Sequence, residues 1–326
     1  MLRSILTHMM LAIVLTSCQQ ADVLESLQVD VVDRIGVDGS VGAIDVDSDG
    51  NLYVLDRANS QILTYSAGND SLLSVIQMSV GDGPDQVGRP TDFAAADGGY
   101  VAWLSRESRK LYIINPAGEV EDVYPTRFLS SSVEYYRGDY YLSRMWMFGE
   151  SVLFRITLDP ELGAIAAETS VPLVNRPSNW EAVFQTGSIA HLFVSGSSLI
   201  YAFPAPNKYI VVDLESGTVV DSSKNQIPLT SPFGVMESSS GRSIPILTDA
   251  IRAVAPYGDG GVLVVVGGDE GYFLDHYDSM HRLKGRTSLA NTGVDSIIDI
   301  KRSGENTYYA YGFADEPEIL KLRITE

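Results

Sequence analysis

The chain is short of cysteine, of basic residues and of long apolar runs, and each shortage removes a class of protein. Cys18 is the only cysteine, so no disulfide can form within the chain. Lys and Arg number 23 against 42 Asp and Glu, a formal charge of −19. A field of that sign repels phosphate backbones and anionic headgroups, which argues against a nucleic-acid partner and against a basic membrane-binding patch. The acids are scattered rather than blocked and read as a solvated surface. The N-terminal apolar stretch, Ile5 to Leu15, is short and interrupted by Thr7 and His8, too little for a spanning helix. A Gly-x-Ser-x-Gly elbow and a phosphate-cradling loop are also missing, so hydrolysis or phosphoryl transfer of those kinds has no residues to carry it.

What the N-terminus does contain is informative. Arg3 gives a positive start, the apolar stretch follows, and Leu15-Thr16-Ser17-Cys18 stands where cleavage is expected. The segment resembles the lipobox of bacterial lipoproteins. The resemblance implies a signal peptide over 1–17, a diacylglyceryl thioether on Cys18, a short tether over 18–26 and a mature domain over 27–326. Gln19, rather than Asp, follows the cysteine, which by resemblance to lipoprotein sorting rules points to the outer membrane or periplasm of a bacterial envelope. The acyl chains would be the only membrane attachment.

The rest of the chain repeats. Residues 43–57, with the turn Asp47-Ser48-Asp49-Gly50 between apolar runs, followed by Gln61 to Ser66, come back 49 residues later and again 147 residues later. The second copy runs from Asp92 through Asp97-Gly98-Gly99 to Arg106 and Lys110–Asn115; the fourth runs from Ala190 through Ser195-Gly196-Ser197 to Phe203 and Tyr209–Asp213. Weaker copies are a third over Ser132–Tyr136, Tyr140–Arg144 and Val152–Thr157, and a fifth over Ile251–Ala255, Val262–Val266 and Tyr272–Tyr277. A sixth has only three strands, Ser296–Lys301, Thr307–Tyr311 and Ile319–Ile324, and the missing one is assigned to Gln28–Arg34. Short apolar strands cut by Gly/Asp/Asn turns at a period of roughly 50 residues predict an all-β, six-bladed β-propeller of four-stranded antiparallel blades, closed by the N-terminal strand. Asp47 to Asp56 with Asn59 to Ile62, and the glycine-rich approach Gly81 to Pro90, resemble the NHL repeat and TolB-like propellers. Members of that group mostly bind proteins, peptides or glycans. Calcium-dependent lactonases and zinc lyases share the scaffold, so fold alone does not settle activity.

Four chemistries can be weighed from residues. Asp45, Asp47, Asp49 and Asp56 have much of the spacing of an EF-hand calcium loop, but the alternation of Ile44, Val46, Leu52 and Val54 is that of a strand hairpin. Calcium is the one cofactor this pattern leaves open, and none is predicted. His191, His276 and His281 are too dispersed to converge on a zinc ion near the axis. A metal-dependent enzyme would look to Glu181, Asp249 and Asp299 at the channel mouth. The favoured reading is a binding face. Irregular length collects in the connections of one rim, at Arg144–Gly149, Val171–Gly187 and Ser222–Asp249. Arg57, Arg106 and Arg144 end the second strands of three successive blades, and Trp146 and Trp180 lie nearby as stacking faces. The sequence therefore predicts a monomeric, lipid-anchored envelope protein that binds a protein, peptide or glycan. The alternative for the three arginines is that each braces neighbouring blades.

Overall fold

The run Val101-Ala102-Trp103-Leu104-Ser105 is buried at every position. Val101 and Trp103 pack with Tyr53, Leu55 and Phe93 on one side, while Ala102 and Leu104 pack with Val133, Leu142 and Phe154 on the other. A strand covered on both faces needs no polar alternation, which is why the repeats read as short continuous apolar runs. The computed structural model describes residues 26–37, 39–83, 86–144, 153–159, 164–171, 191–195, 197–203, 208–216, 219–221, 233–237, 243–247, 250–268, 271–314 and 316–326.

Six four-stranded antiparallel sheets form the blades. Blade 1 is Val41–Val46, Leu52–Asp56, Gln61–Tyr65 and Leu72–Gln77; blade 2 is Asp92–Ala95, Val101–Ser105, Lys110–Ile114 and Val120–Pro125. Blade 3 is Ser130–Tyr136, Asp139–Arg144, Leu153–Asp159 and Ala164–Val171; blade 4 is His191–Ser195, Ser198–Phe203, Lys208–Asp213 and Val219–Asp221. Blade 5 is Ala250–Tyr257, Gly261–Gly268, Gly271–Tyr277 and Leu283–Ser288. Blade 6 takes Ser296–Arg302, Thr307–Phe313 and Pro317–Thr325 from the C-terminus and Gln28–Ile35 from the N-terminus. The first strand of each blade touches that of the next, and the last returns to the first, so the inner strands form a closed ring.

Ring closure rests on the N-terminal strand, as the sequence predicts. Gln28 pairs with Thr325 and Ile35 with Ile319, burying Val29 toward blade 5 and Ile35 toward blade 1. Across the blade 6–blade 1 junction, the Lys321 ammonium sits 2.8 Å from Asp70, and the Tyr309 hydroxyl donates to the same carboxylate at 2.7 Å.

The turns between first and second strands, and between third and fourth, open on one rim; the remaining connections open on the other. Asp49-Gly50 closes the first hairpin. Gly50 has φ +82°, and a Cβ there would lie 2.6 Å from the Ser303 carbonyl oxygen, so no other residue fits. One segment differs from the sequence reading. Within Ser222–Asp249, taken as irregular, Phe233–Glu237 and Ser243–Leu247 pair as a separate two-stranded hairpin. Val235, Ile244 and Ile246 give the two strands their apolar alternation, but the hairpin falls outside the ~50-residue repeat that marks the blades.

Candidate functional site

The inner strands line the channel, and a charged residue in the middle of one is forced toward it or toward a neighbouring blade. Four blades bring such residues to the channel cavities: Asp45 in blade 1, Asp92 at the start of the blade 2 strand, Glu134 in blade 3, and Asp299 with Lys301 in blade 6; Arg252 of the blade 5 strand lines neither cavity. Three of the acids are used identically. Asp45 accepts the Ala95 N–H at 2.7 Å, Asp92 accepts the Val133 N–H at 3.0 Å, and Asp299 accepts the Ile44 N–H, each reaching from one blade to the next. The Lys301 ammonium lies 2.5 Å from Glu134 and 3.5 Å from Asp45, joining blade 6 to blade 3 across the channel. Blades 4 and 5 contribute Leu192, Phe193, Val254 and Pro256 to the channel walls. The channel thus has a charged half and an apolar half.

Four carboxyls around one ammonium are electrostatically unbalanced. Burial pushes the Asp92 carboxyl up to about 7, against the opposing pull of Lys301 and the Val133 N–H and with help from Asp299. Burial pushes Glu134 up to about 8, offset in part by Lys301 and reinforced by Asp45. Asp299 is raised by burial, opposed by Lys301. Burial alone would lower Lys301, but Glu134, Asp45 and Asp299 outweigh it and hold the ammonium protonated.

Glu134 and Lys301 border two cavities, one at each end of the channel. The larger, of about 390 Å³, opens on the rim of short turns. Its polar wall is Asp45, Glu134, Lys301 and Arg137; its apolar wall includes Val46, Ala95, Phe193, Val194 and Pro256. Arg137 is exposed and lies over the Tyr136 ring, 5.0 Å from its centroid. Asp97 on the same wall accepts the Tyr135 hydroxyl at 2.9 Å. The smaller cavity, of about 120 Å³, opens on the opposite rim beside Arg57, Thr91, Asp92, Ser131, Ser132 and Asp299.

The residues singled out from sequence are distributed unevenly over this arrangement. Arg57 lines the smaller cavity and donates to the Thr91 carbonyl at 2.8 Å, which braces blade 1 against blade 2. Its side chain lies so close to Gly42 that a Cβ there would be 2.4 Å from Nε. Arg106 follows the second strand of blade 2 and its N–H donates to Thr91 Oγ1 at 3.0 Å. Arg144 ends the second strand of blade 3 opposite Ser130. Arg57 and Arg106 thus each follow a second strand, whereas Arg144 is still paired within its strand, at the register position that Asp56 holds in blade 1; the Arg144 side chain lies outside the described residues. Cys18, Trp146, Trp180, Glu181 and Asp249 also lie outside them.

The acidic turn resolves as hairpin chemistry. Asp47 accepts the N–H groups of Asp49 and Asn51, each at 2.9 Å, while Asp45 faces the channel and Asp56 accepts from Asn59, Gln61 and Ser40 in a different turn. His276 packs against Tyr257, and His281 against Tyr209 of blade 4. Among the described residues no group of three or more His, Cys, Asp or Glu side chains is placed to hold a metal ion.

Neither a family model nor a curated protein matches the chain. Solved structures do. A member of the DUF4221 family from Bacteroides vulgatus aligns with TM-score 0.58 at 12% identity, covering 93% of this chain and 98% of its own. A candidate exported protein from Bacteroides fragilis aligns at 0.57 and 12%, covering 94% and 98%. Virginiamycin B lyase from Staphylococcus aureus aligns at 0.53 and 13%, covering 91% and 99%. The chain is a six-bladed β-propeller. At these identities the likeness establishes the fold alone.

Proposed function

We propose that the protein is a lipid-anchored binding protein of the bacterial envelope that receives a peptide or glycan group in the larger cavity at the end of its channel. The observation that carries this reading is the cavity itself. It has ligand-sized volume, walls fixed by inter-blade hydrogen bonds, and one charged and one apolar side. Such walls suit a group with an apolar body and a polar head, the body against Phe193 and Val194 and the head toward Glu134 and Arg137. The lipobox-like segment ending in Cys18 supports the anchor, and the likeness to a candidate exported protein fits an extracytoplasmic setting. Among the described residues no helix is long and apolar enough to cross a membrane.

The test is capture from envelope extract on the immobilised protein, compared with Val194→Trp, which fills the cavity, and Arg137→Ala, which removes a polar wall. Loss of the captured species in both variants is expected; equal capture by all three proteins would reject the site. A second reading has its own observation, that Arg57 borders the smaller cavity on the loop-rich rim. There the arc of Arg57, Arg106 and Arg144 with Trp146 and Trp180 would hold an anionic group. The enzyme alternative places a metal with Glu181, Asp249 and Asp299 at that mouth; metal retained by the purified protein, and activity lost on chelation, would favour it.

A further inference from the structure

The exposed apolar side chains of this propeller are not spread evenly around it. Met280, Leu73 and Leu72 are the three most exposed large apolar residues described, at 61%, 56% and 52%. Met280 occupies the turn between the third and fourth strands of blade 5, and Leu72 and Leu73 leave the same turn in blade 1. In blade 6 that position has no turn. It is where the chain ends meet, Gln28 opposite Thr325. Propeller symmetry therefore sets these three positions at one height on the short-turn rim of consecutive blades, with the start of the N-terminal strand in the middle. The described equivalent turns of blades 2 and 4 instead expose Glu119 and Glu215, while in blade 5 the acid beside Met280, Asp278, is neutralised by Arg282 at 2.7 Å.

We propose that this edge of blades 5, 6 and 1 rests on the lipid bilayer, with the loop-rich rim held away from it. The inference rests on the reading of Cys18 as the lipid anchor. Leu27 is fixed in place, buried against blade 5, with its N–H donating to Thr287 Oγ1 at 2.8 Å. Nine residue steps separate it from Cys18, a reach of at most about 30 Å. A thioether at Cys18 therefore keeps the start of the N-terminal strand near the headgroups, and the apolar groups on either side are the ones that meet them. Leu72, Leu73 and Met280 gain from interfacial burial, whereas the strongly acidic surface elsewhere does not. The short tether and the apolar edge together fix a tilt that neither would fix alone.

The lack of any second cysteine makes the orientation measurable. Full-length protein, with acylation of Cys18 checked by mass spectrometry, is reconstituted in phosphatidylcholine vesicles carrying nitroxide-labelled lipid. Single cysteines at Leu73→Cys and Met280→Cys on the proposed edge, and at Ser40→Cys and Ala290→Cys on the far rim, each take a thiol-reactive fluorophore. Quenching several-fold stronger at the first pair than at the second is expected. Equal quenching at all four sites, stronger quenching at Ser40→Cys and Ala290→Cys, or none anywhere on acylated protein overturns the orientation while leaving the anchor intact. Unmodified Cys18 in the mass spectrum removes the anchor and the orientation with it.

Discussion

Replacing Asp92 by asparagine should stabilise the propeller at alkaline pH and have less effect in acid. The carboxyl is raised on folding from 3.8 to about 7, so the native chain holds a proton there that the unfolded chain has lost. The favourable balance present at low pH is therefore lost as pH rises through that window and is gone above it. At ~1.4 kcal/mol for each tenfold step in protonation, the full shift corresponds to roughly 4 kcal/mol. Between pH ~5 and pH ~8.5 the change is roughly 2.7 kcal/mol by the same linkage. Asp92 is only partly enclosed and borders the smaller cavity. Water there screens the charge and reduces the effect toward half, which gives about 1–3 kcal/mol. Asparagine keeps an oxygen for the Val133 N–H, so the bond between blades 2 and 3 survives. The assay is thermal melting of parent and variant at both pH values, with the gap between them widening by about 2–6 °C in favour of the variant at the higher pH. A gap independent of pH, or one that widens in acid, would refute the charge assignment of the channel.

Three other perturbations follow from the same structure. Asp275 is fully buried and accepts from Arg286 Nε and Nη2 at 2.6 and 2.7 Å, so Arg286→Met should cost about 3–5 kcal/mol in urea unfolding; adding Asp275→Asn should recover a large part, and no recovery would contradict the pairing. Deleting residues 26–35 opens blade 6 and exposes the edge of Pro317–Thr325; light scattering should show concentration-dependent aggregation, and a stable monomer would contradict strand closure. Alanine at Arg57, Arg106 and Arg144 together should abolish capture of any anionic ligand on the loop-rich rim, while unchanged affinity would assign these arginines to bracing alone.

The architecture was legible because the propeller repeats a local code. Asp49-Gly50 and Gly98-Gly99 mark equivalent turns, and the strand predicted over Gln28–Arg34 is found over Gln28–Ile35 in the predicted blade. The hairpin of Phe233–Glu237 and Ser243–Leu247 was not legible because it stands outside the period, and among the described residues it pairs with no blade. The channel cluster was half visible. Asp45 was noticed for its spacing to Asp47 and Asp49, and Asp299 as a carboxylate at the channel mouth, yet Asp92, Glu134 and Lys301 were not joined to them. No linear spacing connects Lys301 to Glu134, 167 residues earlier; only closure of the ring brings blades 3 and 6 face to face across the axis. The available signal was positional, the recurrence of ionisable residues on inner strands of the blades, at Asp45, Asp92, Glu134, Asp299 and Lys301. Arg57 shows the converse, since its place after a second strand was readable while its bond to Thr91 depended on how blade 2 sits against blade 1.

The central claim is that recognition happens at a channel end, in the cavity floored by Glu134 and Lys301. A crystal structure of the protein with its captured ligand tests it most directly. The account predicts ligand density between Phe193 and Val194 on one side and Glu134 and Arg137 on the other; density confined to the outer strands of the blades, with the cavity filled only by solvent, would contradict it.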